Sequence, residues 1–300
     1  MIELLQYEFM RRALIAAVLV GLVTPVIGTF LVQRRLALLG DGIGHVALTG
    51  VALGLLTSTS PVLTAAVVAT LGAVLMELVR VRTRTSGDVA LALLFYGGIA
   101  GGVLLIGLTP GASNATLTSF LFGSVSTVGE QDIWIVGALA VGVLTVLAVF
   151  GRELFVLCQD EEVARAHGLP VRFLSILLAV TAALTVVIAM RVVGVLMVSA
   201  LMIVPVAAAQ QLSRSFRVTV GLAVLIGLLS SLGGLTTAFH SDLAPGATIV
   251  LLALAVYCVA VVVGGLLRRA TARRGVPPLP QGTGGPTDTM PQTDRGRVTP

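Results

Sequence analysis

Charged side chains are scarce in this sequence, and lysine is absent. Only 11% of the 300 residues are charged and 56% are hydrophobic, a balance that excludes an ordinary soluble domain. All 19 basic residues are arginine, so the chain contains no G-x-x-x-x-G-K-S/T phosphate-binding loop and is not expected to hydrolyse ATP itself. The net charge of +5 is explained better by membrane topology than by a nucleic-acid partner.

The sequence is also poor in the side chains of catalytic and structural metal centres. Its two cysteines, Cys158 and Cys258, lie in or beside apolar stretches without the spacing of metal ligands, and we interpret them as packing residues. No Ser/His/Asp or Cys/His arrangement occurs at a plausible site. We therefore expect a chain that is not an enzyme and that holds no permanent cofactor.

Nine apolar stretches are each long enough to cross a membrane. A hydrocarbon core of roughly 30 Å requires about 20 helical residues. The candidate spans cover 13–32, 37–57, 61–80, 88–107, 133–150, 172–190, 193–211, 218–236 and 247–267. We predict an all-α polytopic membrane protein with about nine transmembrane helices, in a transmembrane domain that covers 1–268.

The arginines predict how these spans are oriented. If the N-terminus lies outside, all but three of the 19 arginines fall on the inner side, and the exceptions are Arg11, Arg12 and Arg191. Because cytoplasmic loops are enriched in basic residues, this asymmetry favours an external N-terminus and a cytoplasmic C-terminus in the plasma membrane. The segment 115–128 has 14 residues, too few to span, and its Ser and Thr residues favour a short or re-entrant helix on the outer side.

The end of the chain differs in composition from the rest. Residues 269–300 are first basic and then rich in Pro, Gly and Thr, with almost no large apolar side chains. Such a segment cannot bury enough apolar surface to offset the entropy that is lost on ordering. We predict a disordered cytoplasmic tail.

Asp41 and His45 are polar residues inside the second predicted span. A carboxylate at the centre of a spanning helix costs about 2.5 to 3.5 kcal/mol on insertion scales, so it usually faces a protein interior or an aqueous path. Positions i and i+4 share a helix face, and an oxygen ligand beside an imidazole nitrogen suits a divalent transition metal. We take the pair as a candidate transient metal site. The alternative is a buried Asp41 that hydrogen-bonds His45 to join two helices, because two ligands alone do not define a metal site.

A short helix is predicted in the polar stretch between the fifth and sixth spans. Asp160 can cap it, Glu161 and Glu162 complement its positive end, Ala164 is a good helix former, and Gly168 ends it. The result is about two helical turns on the cytoplasmic side. Spacing alone does not distinguish this element from an ordinary loop helix.

The predicted outer loop before the last span carries His240 and Asp242. The two side chains could form a solvated turn that leads into the last span, or they could contact an arriving ion or a partner. The first interpretation is the simpler one, since neither residue lies within an apolar stretch. We keep the pair as a weaker candidate for metal binding.

Three segments in this order resemble a known family. They are GDGIGHVAL at 40–48, similar to a G-D-x-x-x-H-A/V-x-L motif; 192–208, similar to a V-G-x-L…I-P-A-A-x-A segment; and GATIVL at 246–251. Together they resemble the membrane subunits of bacterial ABC importers for zinc, manganese and iron, the ABC type 3 metal permeases. One departure is DLAPG at 242–246, where family members commonly have D-L-P-S-G.

This resemblance implies a transport function and several partners. The chain would be a homodimeric permease in the lipid membrane that passes a divalent transition metal inward, zinc or manganese before iron. A separate ABC ATPase would bind on the cytoplasmic side, and a metal-binding solute protein would dock outside. Residues 159–169, with Asp160, Glu161, Glu162, Ala164 and Gly168, would form the coupling helix that enters a groove of the ATPase.

Two other functions remain open from the sequence. An ion-coupled secondary carrier would use Asp41 as a proton or sodium site at a broken helix. An intramembrane enzyme would use Asp41 and His45 as a catalytic pair, but the sequence offers no third group for it. The identity of the metal is not encoded in the pair, because Asp and His together bind zinc, manganese and ferrous iron.

Overall fold

The chain folds into a bundle of α-helices in which two short helices interrupt a series of long ones. The computed structural model describes residues 8–82, 87–109, 114–123, 129–213 and 215–274. The helices in these ranges are α1 (Glu8–Gln33), α2 (Leu39–Leu56), α3 (Pro61–Arg82), α4 (Gly87–Leu108), α5 (Asn114–Phe122), α6 (Glu130–Gln159), α7 (Glu161–Ala166), α8 (Val171–Val193), α9 (Val195–Leu212), α10 (Phe216–Ser241) and α11 (Pro245–Arg274). No strand occurs within them.

Nine of these helices are long and apolar enough to cross a membrane, as far as the structure describes the chain. They are α1 to α4, α6 and α8 to α11. The prediction of an all-α polytopic membrane protein is thus confirmed. With nine residues, α5 is about 14 Å long at 1.5 Å per residue, so it cannot span. The remainder of the predicted re-entrant segment, 124–128, lies outside the described residues.

The fifth span is longer than the sequence predicted. The polar stretch that begins at Gly151 was expected to be a loop, but α6 continues to Gln159 without a break. Its last two turns bury Leu154 and Leu157 in the core, and the thiol of Cys158 lies 3.6 Å from the carbonyl of Phe30. Apolar side chains on one face therefore extend the helix through a segment that is polar on average.

The helix that contains the last span continues beyond the span itself. The apolar part of α11 that is long enough to cross the membrane covers Pro245–Leu266, within the predicted domain of 1–268, and the helix runs on to Arg274, so the basic start of the predicted tail is helical. Residues 275–300, the Pro/Gly/Thr-rich part, lie outside the described residues. The division into a membrane domain and a disordered tail stays a prediction.

Glycines allow α2 to pack closely against its neighbours, which are α3, α4, α8 and α9. A Cβ atom on Gly50 would stand 2.6 Å from the Cα of Ala65 in α3. A Cβ on Gly98 in α4 would stand 2.6 Å from the backbone nitrogen of Val46. Neither position accommodates a larger residue without displacement of a helix, so the glycines fix how near the neighbours lie to Asp41 and His45.

One end of the bundle, which we call the α5 end, is built from crossing backbones. Gly194 alone joins α8 to α9, with φ 84° and ψ 154°, and a Cβ there would overlap backbone atoms of α5 and Gly123. A Cβ on Gly246, at the start of α11, would overlap the carbonyl of Val193. The last two segments of the sequence motif thus meet at one point, where only glycine leaves room for the neighbouring chain.

An ion pair at the same end accounts for one of the three arginines that break the charge asymmetry. Arg191, near the end of α8, pairs with Asp132 at the start of α6. Its guanidinium also lies 5.2 Å from the ring centroid of Phe120. The positive charge is therefore balanced within the bundle, and Arg191 carries little weight against the predicted orientation.

Candidate functional site

The candidate metal ligands lie at the start of α2. The helix begins at Leu39, so the 1.5 Å rise places Asp41 roughly 3 Å and His45 roughly 9 Å along its axis. Both therefore lie near the end of the bundle that carries α7, which we call the α7 end. The Asp41 carboxylate also stands in the first turn, where unpaired backbone N–H groups favour a negative charge.

Asp41 is half-buried and opens onto a cavity. The hydroxyl of Ser199 in α9 lies 3.5 Å from its Oδ1 and donates to it. The cavity has a volume of about 240 Å³ and is lined by Leu38, Asp41, Leu91, Ala92, Phe95 and Tyr96. One carboxylate oxygen is thus held by the bundle while the group as a whole remains within reach of an incoming ion.

His45 lies one turn further in and is 5% exposed. Phe95 in α4 meets its ring edge to face, with 4.4 Å between the ring centroids and an interplanar angle of 74°. Its Nδ1 is buried and has no hydrogen-bond partner among the described residues. A buried nitrogen without a partner is costly, and such a group is expected to find one when a ligand or a proton donor arrives.

The hydrogen bond that the alternative interpretation of this pair requires is not formed. Within the described ranges, the recorded partner of Asp41 is Ser199, and the Nδ1 of His45 is unpaired. Phe95 contacts the ring of His45 and also lines the cavity beside Asp41, so one aromatic ring borders both candidate ligands. Phe95 could not be singled out from the sequence, where its only signal is an aromatic pair, Phe95-Tyr96, inside a span of otherwise aliphatic residues.

A single chain supplies an incomplete ligand set at this point. In the part of the chain that the structure describes, no three His, Cys, Asp or Glu side chains come together as a metal-binding group. Asp41 and His45 would contribute one oxygen and one nitrogen. Water or another chain would have to supply the remaining ligands of a four- to six-coordinate transition metal.

The weaker candidates, His240 and Asp242, do not join this site. Both are exposed at the far end of α10, in the α5 end. The Nδ1 of His240 donates to the carbonyl of Thr236 at 2.8 Å, and Asp242 adopts the left-handed conformation, with φ 53°, that ends the helix. The geometry is that of a solvated helix end, and a role in metal capture stays a prediction.

The short helix of the sequence analysis is present as α7. The carboxylate of Asp160 accepts from the backbone N–H groups of Glu162 and Val163 at 2.8 and 3.2 Å, which is the predicted cap. Gly168 ends the element with φ 75°. Asp160, Glu161 and Glu162 are exposed, whereas Ala164 is fully buried. Ala164 therefore packs α7 onto helices of the same chain.

A polar cluster that the sequence did not predict connects α7 to the bundle. Arg34, directly after α1, donates to Glu161 of α7 and to the hydroxyl of Ser175 in α8, both at 2.9 Å. Beside the cluster lies a cavity of about 640 Å³ lined by Glu77, Arg80, Glu161, Arg165, Leu169, Pro170, Val171, Arg172, Phe173 and Ser175. From the sequence, Arg34 is only one of the arginines that indicate topology, because its partners are 127 and 141 positions away.

Comparisons with known proteins agree over nearly the whole chain. The family model described as the ABC 3 transport family matches residues 6–264. The manganese transport system membrane protein MntC of Listeria innocua is 34% identical over 257 residues, which is 86% of this chain and 91% of the relative. The high-affinity zinc uptake system membrane protein ZnuB of Haemophilus influenzae is 29% identical over 245 residues, or 82% and 94% of the two chains.

A solved structure shares the fold. The structure described as PsaBC from Streptococcus pneumoniae in complex with Fab superposes with a TM-score of 0.78 at 30% identity. The match covers 86% of this chain and 92% of the other. The resemblance inferred from three short motifs is thereby extended to the whole membrane domain, and this chain belongs to the ABC 3 transport family.

Proposed function

We propose that this chain is the permease subunit of an ABC importer that carries a divalent transition metal, manganese or zinc, across the plasma membrane. The observation that carries the proposal is the full-length likeness to relatives named as manganese or zinc transport membrane proteins. The Listeria relative shares 34% of its residues with this chain over 91% of its own length. An isolated motif match would not support the same conclusion.

Asp41 and His45 form the transient metal site in this proposal. Its support is the placement of a half-buried carboxylate beside a cavity and of a buried imidazole with an unpaired Nδ1 on the same helix face. Two ligands hold an ion weakly, and weak binding suits conduction because the ion must leave again. Two chains of a homodimer would supply two Asp and two His to one ion.

The driving energy comes from a separate subunit. The sequence has no phosphate-binding loop, and an ABC ATPase on the cytoplasmic side would supply ATP hydrolysis. We propose that α7, through Asp160, Glu161, Glu162, Ala164 and Gly168, is the coupling element between that ATPase and the bundle. The N-terminus lies outside, the α7 end faces the cytoplasm, and a metal-binding solute protein docks at the α5 end.

The ion-coupled secondary carrier is not favoured. It would require Asp41 to bind a coupling ion at a broken helix, whereas α2 is continuous from Leu39 to Leu56. It also leaves the match to the ABC 3 transport family over residues 6–264 without an explanation.

Reconstituted transport tests the proposal. The chain is purified in complex with an ABC ATPase and a metal-binding solute protein from the same organism, placed in proteoliposomes, and assayed for uptake of radioactive manganese and zinc. We expect uptake that requires ATP, persists after a protonophore collapses the proton gradient, and is lost when the ATPase phosphate-loop lysine is replaced. Uptake without ATP that a protonophore abolishes would support the secondary carrier instead.

A further inference from the structure

Arg34 occupies a position between the two functional parts of the chain. It is the first residue of the α1–α2 connection, which covers 34–38 and leads directly to α2 and Asp41. Its side chain is 7% exposed, and its guanidinium pairs with Glu161 of α7 at 2.9 Å. A second donor of the same group bonds the Ser175 hydroxyl of α8 at 2.9 Å. One side chain therefore contacts both α7 and α8 from the segment that precedes the metal site.

The α1–α2 connection is short and strongly hydrogen-bonded. The backbone N–H of Leu36 donates to the carbonyl of Leu31 at 2.9 Å, and that of Leu39 donates to Leu36 at 3.0 Å. Arg35 adopts a left-handed conformation with φ 59°. A connection of this kind has little slack, so a displacement at Arg34 is passed to the first turn of α2 and not absorbed between them.

Few contacts hold α7 to the bundle, so the Arg34–Glu161 ion pair is a substantial part of that attachment. Ala164 supplies a fully buried apolar contact, but a cavity of about 640 Å³ lies between α7, α8 and the end of α3. Glu161 forms a second ion pair, with Arg165 at 3.2 Å, which stays within α7 and is exposed. Of the two pairs, the one with Arg34 is the pair that crosses from α7 to another element.

We propose that Arg34 is a positioning residue that transmits the movement of α7 to Asp41 through the α1–α2 connection. This inference rests on the proposed function, since it requires α7 to be the ATPase contact and Asp41 to be on the metal path. The physical basis is a charge-assisted bond from an arginine whose side chain is 7% exposed, against 70% for Arg165 in the pair that stays within α7. A donor that is held in place by the bundle loses less side-chain entropy in such a bond than an exposed one does. When α7 is displaced, the guanidinium follows Glu161 and pulls the start of α2.

The test measures coupling in the reconstituted complex with its ATPase and solute protein. The readout is the number of metal ions taken up per ATP hydrolysed. We expect R34Q and E161Q each to lower this ratio by about fivefold or more, the lower range of measured coupling between sites. The matched control is R152Q, which removes an exposed arginine of α6 that lies outside α7 and should keep the wild-type ratio. E161Q breaks the same ion pair from its more exposed side, so it is less prone than R34Q to cause misfolding.

A second readout reports the movement itself. Leu38, 66% exposed, lines the cavity beside Asp41. A cysteine is placed there with C258S, which removes the exposed native thiol. We expect ATP to change the rate at which L38C reacts with a maleimide in the otherwise wild-type complex and in R152Q, but not in R34Q. R34K, which keeps the charge, should restore part of the change.

The outcomes separate the inference from the function on which it rests. A wild-type coupling ratio and a normal ATP-dependent change at L38C in R34Q would overturn the role of Arg34. An equal loss in R34Q, E161Q and R152Q would also overturn it, because the loss of any charge at this end of the bundle would then suffice. Failure of the wild-type complex to take up manganese or zinc with ATP would instead count against the proposed function.

Discussion

The ring of Phe95 lies edge to face against the imidazole of His45, with 4.4 Å between the ring centroids, and the same phenylalanine lines the cavity that opens onto Asp41. The two candidate ligands are therefore on one helix face but in different surroundings. Phe95 therefore borders both the cavity at Asp41 and the imidazole of His45. An aromatic ring in this position would limit the exchange of ions and water at His45.

Replacing Phe95 with alanine should expose His45. We expect F95A to insert normally and to raise several-fold the rate at which diethylpyrocarbonate modifies His45, as measured by mass spectrometry of the peptide that contains it. The neighbouring Tyr96 is 68% exposed and contacts Phe95 rather than His45, so Y96A is the matched control and should leave that rate unchanged. Equal rates in F95A and the wild type would show that Phe95 does not cover the imidazole.

Removing the charge of Asp41 distinguishes a metal ligand from a structural residue. D41N nearly preserves volume and can still accept from Ser199 at its amide oxygen, and H45L removes both ring nitrogens. We expect both variants to assemble but to lower the initial rate of manganese or zinc uptake by more than about tenfold, since even residues that only support ligands can cost that much. The comparison is S199A, which removes the bond to Asp41 but keeps both ligands and should therefore lower uptake less than D41N does. Wild-type uptake in a well-expressed D41N complex would decide against the ligand role.

Much of the architecture could be predicted because it depends on local properties. Apolar runs of about 20 residues predicted the nine spans, and the capping residue Asp160 with Gly168 predicted α7. The spacing of Asp41 and His45 predicted a shared helix face. In each case the determinant lies within a few positions along the chain, so the sequence alone contains the signal.

Features that depend on distant contacts could not be predicted in this way. The Arg34–Glu161 pair joins positions 127 apart, and the residues around either one do not indicate that the two side chains meet. The extension of α6 to Gln159 depends on the burial of Leu154 against other helices. The average polarity of the segment gives no sign of that burial. The role of Gly194 likewise follows from the backbone that crosses it.

A side chain at Gly194 should disrupt the α5 end. Its φ of 84° disfavours any other residue by about 1 to 3 kcal/mol, and a Cβ would in addition overlap backbone atoms of α5. We expect G194A to lower markedly the melting temperature of the purified chain in detergent. Gly221 is a suitable control, since it is helical with nothing within 4 Å of an added Cβ, and G221A should be neutral or stabilising by up to about 1 kcal/mol. A G194A chain as stable as G221A would show that this corner tolerates a side chain.

The end of α7 should be sensitive to the shape of residue 168. Gly168 has φ 75° and no atom within 4 Å of an added Cβ, so the constraint is conformational and not one of space. We expect G168L to lose metal-dependent stimulation of the ATPase and uptake while the subunit remains in the membrane. Asparagine tolerates the left-handed region, so G168N should retain most of both activities. If G168L couples normally, α7 is not the element through which the ATPase acts.

Labelling of exposed positions at the two ends tests the orientation. Ser241 lies at the α5 end and Arg165 on α7, and both are exposed. In intact cells that carry C258S, we expect a membrane-impermeant maleimide to label S241C but not R165C, while both react once the membrane is permeabilised. Cys158 is buried and should contribute no background. A reporter fused after 268 should accordingly be cytoplasmic. Labelling of R165C but not S241C in intact cells would invert the topology, and it would place α7 on the side where no ATPase can reach it.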